Sequence, residues 1–229
     1  MIDIHTHILP LVDDGSIDNG LSLTMLKECV NQGITDVILT PHYRKMYKLS
    51  PNVLVGEFEK FKKVVSDANI PINLYLGQEI FIDYNYKRLF ETKKVLTMND
   101  SKYVLIEFDY EIEVDMLDII YELKMLGFIP IIAHYERYLM SDVETAMEIK
   151  ALGGLIQINA ESIVGKTKRY YAGLIKKLFK NNLVDFVASD VHHNRVNHLL
   201  LAKQHVQKKF GKETANKVFV ENAKMIIKG

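Results

Sequence analysis

The sequence contains no tryptophan, five prolines and a single cysteine, Cys29. One cysteine excludes an internal disulfide framework and fits a reducing compartment. Neither sign of charge prevails: Lys+Arg and Asp+Glu both count 29, so the formal net charge is zero. That excludes a general basic field for gripping nucleic acid or an anionic membrane. No uncharged apolar run reaches about 18 residues, the length that a membrane-spanning helix needs. The opening MIDIHTHILP lacks a basic stretch followed by an apolar one, so no signal peptide is expected and a cytoplasmic location is. Low-complexity tracts, Gly/Ser linkers and repeats are also missing. The 229 residues are therefore expected to form one domain, 1–229.

What is present is an alternation of short apolar runs and longer helical patterns. Strands are expected at 1–5, 36–39, 72–76, 103–106, 129–133, 155–158 and 185–188. Most are rich in Val and Ile and apolar on successive residues, as in parallel strands covered on both faces. Helices are expected at 21–32, 55–68, 114–126, 142–152, 170–181, 197–208 and 213–226. Gly33, Gly127 and Gly153 follow the first, third and fourth of these, where a C-terminal glycine ends a helix. Repeated βα units with right-handed crossovers make either a doubly wound sheet or an incomplete TIM-like barrel.

The chemistry gathers at the strand ends, where parallel α/β folds carry their sites. The first strand ends in His5-Thr6-His7, the second in Thr40-Pro41-His42 and the third in Gly77-Gln78-Glu79. Glu107 ends the fourth. His134 ends the fifth, with Glu136 and Arg137 beyond it. Gln157 and Asn159 end the sixth, and Ser189-Asp190-Val191-His192 ends the seventh. In an open sheet these side chains would spread along a line, whereas in a closed barrel they converge on one mouth.

Each motif alone is weak. His5 and His7 share a strand face because side chains alternate. Asp13-Asp14-Gly15 reads as a turn, and His42 alone reads as a buried histidine. Glu79 and Glu107 are more telling, because a carboxylate ending an apolar strand needs a cation or water. Taken as an ordered set, the residues point to a metal centre. Mixed imidazole and carboxylate ligands suit Mn, Fe or Zn. So many ligands suit two or three ions rather than one, an arrangement that activates a hydroxide and clamps a phosphoryl group in line. Arg137 and Arg195 each stand three residues after a histidine, and an arginine fork binds phosphate. Arg44 and Lys45 follow His42 as rim or solvated residues.

Other phosphate chemistries fail on residue grounds. A cysteine-dependent tyrosine phosphatase needs an arginine six residues after its nucleophile, but Thr35 stands six beyond Cys29. Cys29 lies in an amphipathic segment and reads as core. There is no Walker A loop, G-x-S-x-G elbow or G-x-G-x-x-G motif after a strand.

The segments MIDIHTHILPLVDDG, TPHY, GQEI, LIEF, IIAHYERY, IQINAES and ASDVHHNR occur in this order along essentially the whole chain, followed by ENAKMII. Together they resemble the polymerase and histidinol phosphatase (PHP) superfamily. The closer resemblance is to its manganese-dependent protein-tyrosine phosphatases from capsule and exopolysaccharide operons of Gram-positive bacteria.

The resemblance implies a distorted seven-stranded (β/α)7 TIM-like barrel and three divalent ions, with Mn2+ first and Fe or Zn as alternatives. It implies that His5, His7, Glu79 and Asp190 hold one ion. Glu79, Glu107 and His134 would hold a second, and Asp14, His42 and His192 a third. Arg137 matches the family's phosphate-binding arginine. Arg195 matches the second one, with a shorter preceding loop that leaves His193 as a competitor. Thr6 replaces a common Ser and should point away from the ligands.

The expected reaction is hydrolysis of phosphotyrosine on protein by a hydroxide between the ions. Arg137 and Arg195 would hold the phosphoryl charge, with Asp190 or His192 as proton donor to the phenolate. The implied substrate is a membrane-associated tyrosine autokinase. The alternative is a small-molecule phosphatase such as one for histidinol phosphate.

Overall fold

The structure, a computed structural model, describes residues 1–112, 114–166 and 169–228. Its strands are β1 (Ile2–Thr6), β2 (Asp36–Leu39), β3 (His42–Tyr43), β4 (Asn73–Leu76), β5 (Glu79–Phe81), β6 (Tyr103–Glu107), β7 (Ile129–Ile132), β8 (Leu155–Asn159) and β9 (Phe186–Ala188). All the named strands pair in parallel, in the orders β1-β2-β4 and β3-β5-β6-β7-β8-β9. The sheet curls until its two ends meet. Asp190 donates its backbone hydrogen to His5 O at 2.9 Å, and His7 donates its own to Val191 O at 3.0 Å.

The described residues hold nine strand segments where seven strands are expected, because the second and third are each interrupted. Pro41, which has no backbone donor, separates β2 from β3. Gly77 separates β4 from β5 and turns its N–H back to Leu39 O at 2.8 Å. The breaks place His42 and Glu79 in short strands of their own, paired in register.

Alternation along the strands explains how the core becomes a site. On β6, Tyr103 and Leu105 belong to the inner apolar cluster, and Glu107 is the next residue in that row. On β9, Phe186 and Ala188 lie inside and Asp190 follows. Val104, Ile106 and Val187 belong to the larger cluster beneath the helices. A period of two thus turns from apolar to ionisable at the carboxyl end of the sheet. The inner cluster also includes Ala223 and Ile226 of the last helix, Asn222–Ile227.

The helices follow the expected order with ends shifted by a few residues, the usual uncertainty of boundaries. Asp18 caps Asn19–Asn31 through its side chain, and Asp142 likewise caps Val143–Ala151. Gly33, Gly127 and Gly153 all have positive φ, as helix-ending glycines do. Periodicity does not foretell the short helices Tyr86–Glu91 and Ala160–Ile163. The last expected helix is interrupted by a π turn at Lys217–Glu221. Cys29 is fully buried in the core. No described helix is long and apolar enough to cross a membrane.

Candidate metal centre

The expected ligand residues meet at one end of the curled sheet. His5 Nε2 and His7 Nε2 lie 3.2 Å apart. Glu79 spans them, with Oε1 at 3.3 Å from His5 and Oε2 at 3.4 Å from His7. Asp190 Oδ1 is 3.6 Å from both imidazoles. On the far side of Glu79, His134 Nε2 is 2.9 Å from Oε1, and His42 Nδ1 is 2.7 Å from Oε2. Glu107 stands 3.8 Å from each of these histidines. Asp14 lies 3.4 Å from His42 and 3.7 Å from His192. Glu79 is therefore central.

Among the described residues, eight of these nine form three overlapping groups able to hold a metal ion: His7, Asp14, His42 and His192; His5, His7 and Asp190; His42, Glu79 and Glu107, where His42 stands in the place expected of His134, which belongs to none of the three. His7 and His42 each stand in two groups, so the division among ions is less clean than the resemblance implies.

Three histidines have their tautomer fixed by a partner behind them. His5 Nδ1 faces Gln157 Oε1 at 3.1 Å, His7 Nδ1 faces Asp13 Oδ2 at 2.7 Å, and His192 Nδ1 faces Asp190 O at 3.0 Å. Donation of the Nδ1 hydrogen in each case leaves the Nε2 lone pair aimed into the cluster, as metal-binding histidines require.

The donors fit a cation. Two imidazole lone pairs 3.2 Å apart repel unless a proton or a metal ion lies between them. Glu79 Oε2 and His42 Nδ1 approach to 2.7 Å. They do so without the alignment of a hydrogen bond, and both are buried without a hydrogen-bonding partner. Glu107 Oε2 and His134 Nδ1 are also buried and unpartnered. Ligands at ~2.0–2.2 Å from an ion stand ~3–3.5 Å from one another, the spacing of the His5–His7, His5–Glu79, His7–Glu79 and His42–Asp14 pairs.

The charges agree. Burial, with Glu79 nearby, pushes the Glu107 carboxyl up to about 8, a cost that a cation would remove. Burial also lowers His134 to about 4 and, with His7 beside it, His192 to about 3, so both remain neutral electron-pair donors. Burial opposes ionisation of Glu79, but His5 and His42 outweigh it and hold the carboxyl well below its usual range.

Backbone strain marks the same place. His134 and Asp190 both adopt the left-handed region, at φ 35° and 52°. Such conformations persist where surrounding bonds impose them. The His134 N–H donates to Gln157 Oε1 at 2.9 Å, and Asn159 Nδ2 donates to Asp190 Oδ2 at 2.8 Å.

The arginines converge on one carboxylate. Arg137 Nη1 and Arg195 Nη1 reach Asp190 Oδ2 at 3.2 and 2.9 Å. Arg137 also pairs with Glu161. His193, the competitor to Arg195, donates instead toward the loop carbonyl of Gly15, at 2.7 Å. Arg44 pairs with Asp14 at 2.9 Å. Thr6 turns its hydroxyl to Ile38 O at 3.0 Å, away from the cluster as expected.

Residues 1–228 match the family described as capsular polysaccharide synthesis, CpsB/CapC. The tyrosine-protein phosphatase YwqE of Bacillus subtilis is 32% identical over 100% of this chain and 92% of its own length. The tyrosine-protein phosphatase CpsB of Streptococcus agalactiae is 33% identical over 100% of this chain and 98% of its own. One solved structure superposes with a TM-score of 0.92 at 33% identity, covering 100% of this chain and 94% of the other. It comes from work on YwqE of Bacillus subtilis and CpsB of Streptococcus pneumoniae, described as unique metal-dependent tyrosine phosphatases. The chain belongs to the CpsB/CapC family.

Two residues of this CpsB/CapC chain escape sequence reasoning. Asp13 reads as part of a turn, yet its side chain is fully buried. It holds His7, and it accepts the His42 N–H at 3.0 Å and the Gly15 N–H at 2.9 Å. Gly15 makes this possible: a Cβ there would lie 2.0 Å from His7 O, so only glycine lets the loop lie against the strand. Gln157 reads in the sequence only as a strand-end residue. Its two acceptor contacts, to His5 and His134, follow from its place in the inner row of β8.

Proposed function

We propose that the chain is a metal-dependent phosphatase that removes phosphate from tyrosine residues of proteins. The observation that carries this reading is the meeting of Arg137 and Arg195 beside the cluster of histidines and carboxylates. Kinship with tyrosine phosphatases along the full length supports it. In this reading His5, His7, Asp14, His42, Glu79, Glu107, His134, Asp190 and His192 hold three divalent ions, Mn2+ first among the candidates. When bound, such ions polarise the phosphoryl group and supply a nucleophile from water at neutral pH.

The chain's own residues do the rest. Arg137 and Arg195 leave Asp190 in part to take the non-bridging oxygens, holding the charge that spreads over them in the transition state. Asp13 and Gln157 keep His7 and His5 in the binding tautomer. A phenolate is weakly basic, so water can protonate it where Asp190 and His192 are engaged as ligands. The whole chain, 1–229, acts as one phosphoesterase domain built on a distorted seven-stranded barrel. The substrate is the phosphorylated tyrosine segment of a membrane-associated kinase in capsule synthesis, met from the cytoplasm.

Phosphate release from a phosphotyrosine peptide and from histidinol phosphate, measured side by side with Mn2+ present, tests the reading. Turnover of the peptide is the expected result. Turnover confined to histidinol phosphate would move the enzyme to the metabolic alternative.

A further inference from the structure

The rim of the site is apolar as well as cationic, and the proposed chemistry uses only its cations. Leu11, Met46, Leu139 and Val196 are 77%, 83%, 73% and 69% exposed. Each lies in a loop leaving the carboxyl end of a strand, the end at which the cluster sits. Met46 sits in the turn closed by paired backbone bonds between Arg44 and Tyr47. Arg44 binds Asp14, and Tyr47 stacks near His42 at 6.3 Å. Leu139 follows Tyr138, whose ring is 5.7 Å from that of His134. Val196 follows Arg195. Leu11 stands between His7 and Asp13 at φ 63°, a conformation uncommon for a bulky residue. Ile17, Tyr84, Tyr110 and Ile112 are exposed in loops as well, whereas Val53, Tyr121 and Leu201 are exposed on helices.

Scattered apolar residues on a surface need no explanation, but several around one opening mark a binding surface. The pattern of charge names the occupant. The arginines at the centre ask for a dianion, and the tips outside them ask for apolar surface. A small phosphate ester would satisfy the first and leave the tips in water. A phosphotyrosine set among apolar neighbours in a protein chain satisfies both.

Resting on the phosphatase reading above, we infer that Leu11, Met46, Leu139 and Val196 form a docking ring for apolar and aromatic residues flanking the phosphotyrosine. The ring selects substrates by these flanks, while the metal cluster and the arginines act on the phosphate alone.

The test uses the full metal-loaded chain and the triple variant Leu11→Asn, Met46→Gln, Leu139→Gln. All three positions are exposed, and Asn tolerates the left-handed backbone at position 11. Thermal unfolding verifies that the variant folds. The substrates are a phosphotyrosine peptide with Leu and Phe flanks, the same peptide with Ser flanks, and p-nitrophenyl phosphate. The wild type should prefer the apolar peptide. The variant should lose about tenfold or more in kcat/KM on that peptide and keep wild-type rates on the other two.

Equal losses on all three substrates, no loss on any, or no wild-type preference between the peptides would overturn the ring. Absence of wild-type turnover on all three would instead overturn the phosphatase reading, and the ring with it.

Discussion

Asp13 Oδ2 lies 2.7 Å from His7 Nδ1, and this single contact decides which imidazole nitrogen faces the cluster. The same oxygen accepts the His42 N–H, so one carboxylate fixes a tautomer and places a second histidine. Partners of this kind behind metal-binding histidines are worth about 10–100-fold in affinity. Asp13→Ala should therefore weaken Mn2+ binding by about that factor in calorimetric titration, and Asp13→Asn by less. Unchanged affinity in Asp13→Ala would remove the assigned role.

The two arginines should separate phosphate binding from metal binding. Arg137→Ala is expected to lower kcat/KM on an aryl phosphate by about 10²–10³-fold while metal content stays the same. Arg195 is more exposed than Arg137, so its removal should cost less. Lysine should restore only part of the loss at either position, because it lacks the planar fork. Loss of metal along with rate in Arg137→Ala would show instead that the arginine shapes the cluster.

Cys29 should be a spectator. Burial pushes its thiol far above the usual range, so no thiolate is available at neutral pH. Iodoacetamide under native conditions should leave both thiol and activity intact. Mass spectrometry combined with a rate assay checks both, and inactivation coupled to labelling of Cys29 would contradict a metal-based reaction.

Metal affinity should fall as pH falls, and the sign follows from His5 and His7. Burial disfavours their protonated forms. Glu79 and Asp190 outweigh it at His5, and Asp13 does so at His7, so both pKa values are raised. In the metal-free protein a proton therefore occupies these imidazoles over a wider pH range, and a metal ion must displace it. The logarithm of Mn2+ affinity should rise with pH at a slope of up to about two, saturating above the raised values. A flat profile from mildly acidic to mildly basic pH would remove both histidines from the metal-binding set.

Much of the site is legible in the sequence because its residues sit where a short-range rule puts them. Glu107 and Asp190 continue inner rows that begin as apolar core, and His5 and His7 flank one outward residue. Arg137 and Arg195 are found from their offset to a histidine. Asp13 is illegible because Asp-Asp-Gly is an ordinary turn signal. What aims its side chain inward is the contact of Gly15 with His7, which sequence alone does not display. The expected strands stop at 39 and 76, and the short segments β3 and β5 beyond Pro41 and Gly77 are too brief to show a period of their own. The helix Tyr86–Glu91 is too short for a periodic pattern to emerge. The ordered set of motifs also exceeds what any single spacing conveys, and the order carried the family resemblance.

In the proposed function, hydrolysis depends on metal held by this cluster. The most direct measurement is phosphate release from a phosphotyrosine peptide after chelation and Mn2+ add-back, for the wild type and for His5→Ala/His7→Ala. The wild type should lose activity on chelation and regain it with Mn2+, and the double variant should not regain it. Activity that survives chelation, or a double variant that Mn2+ restores to the wild-type rate, would contradict this dependence.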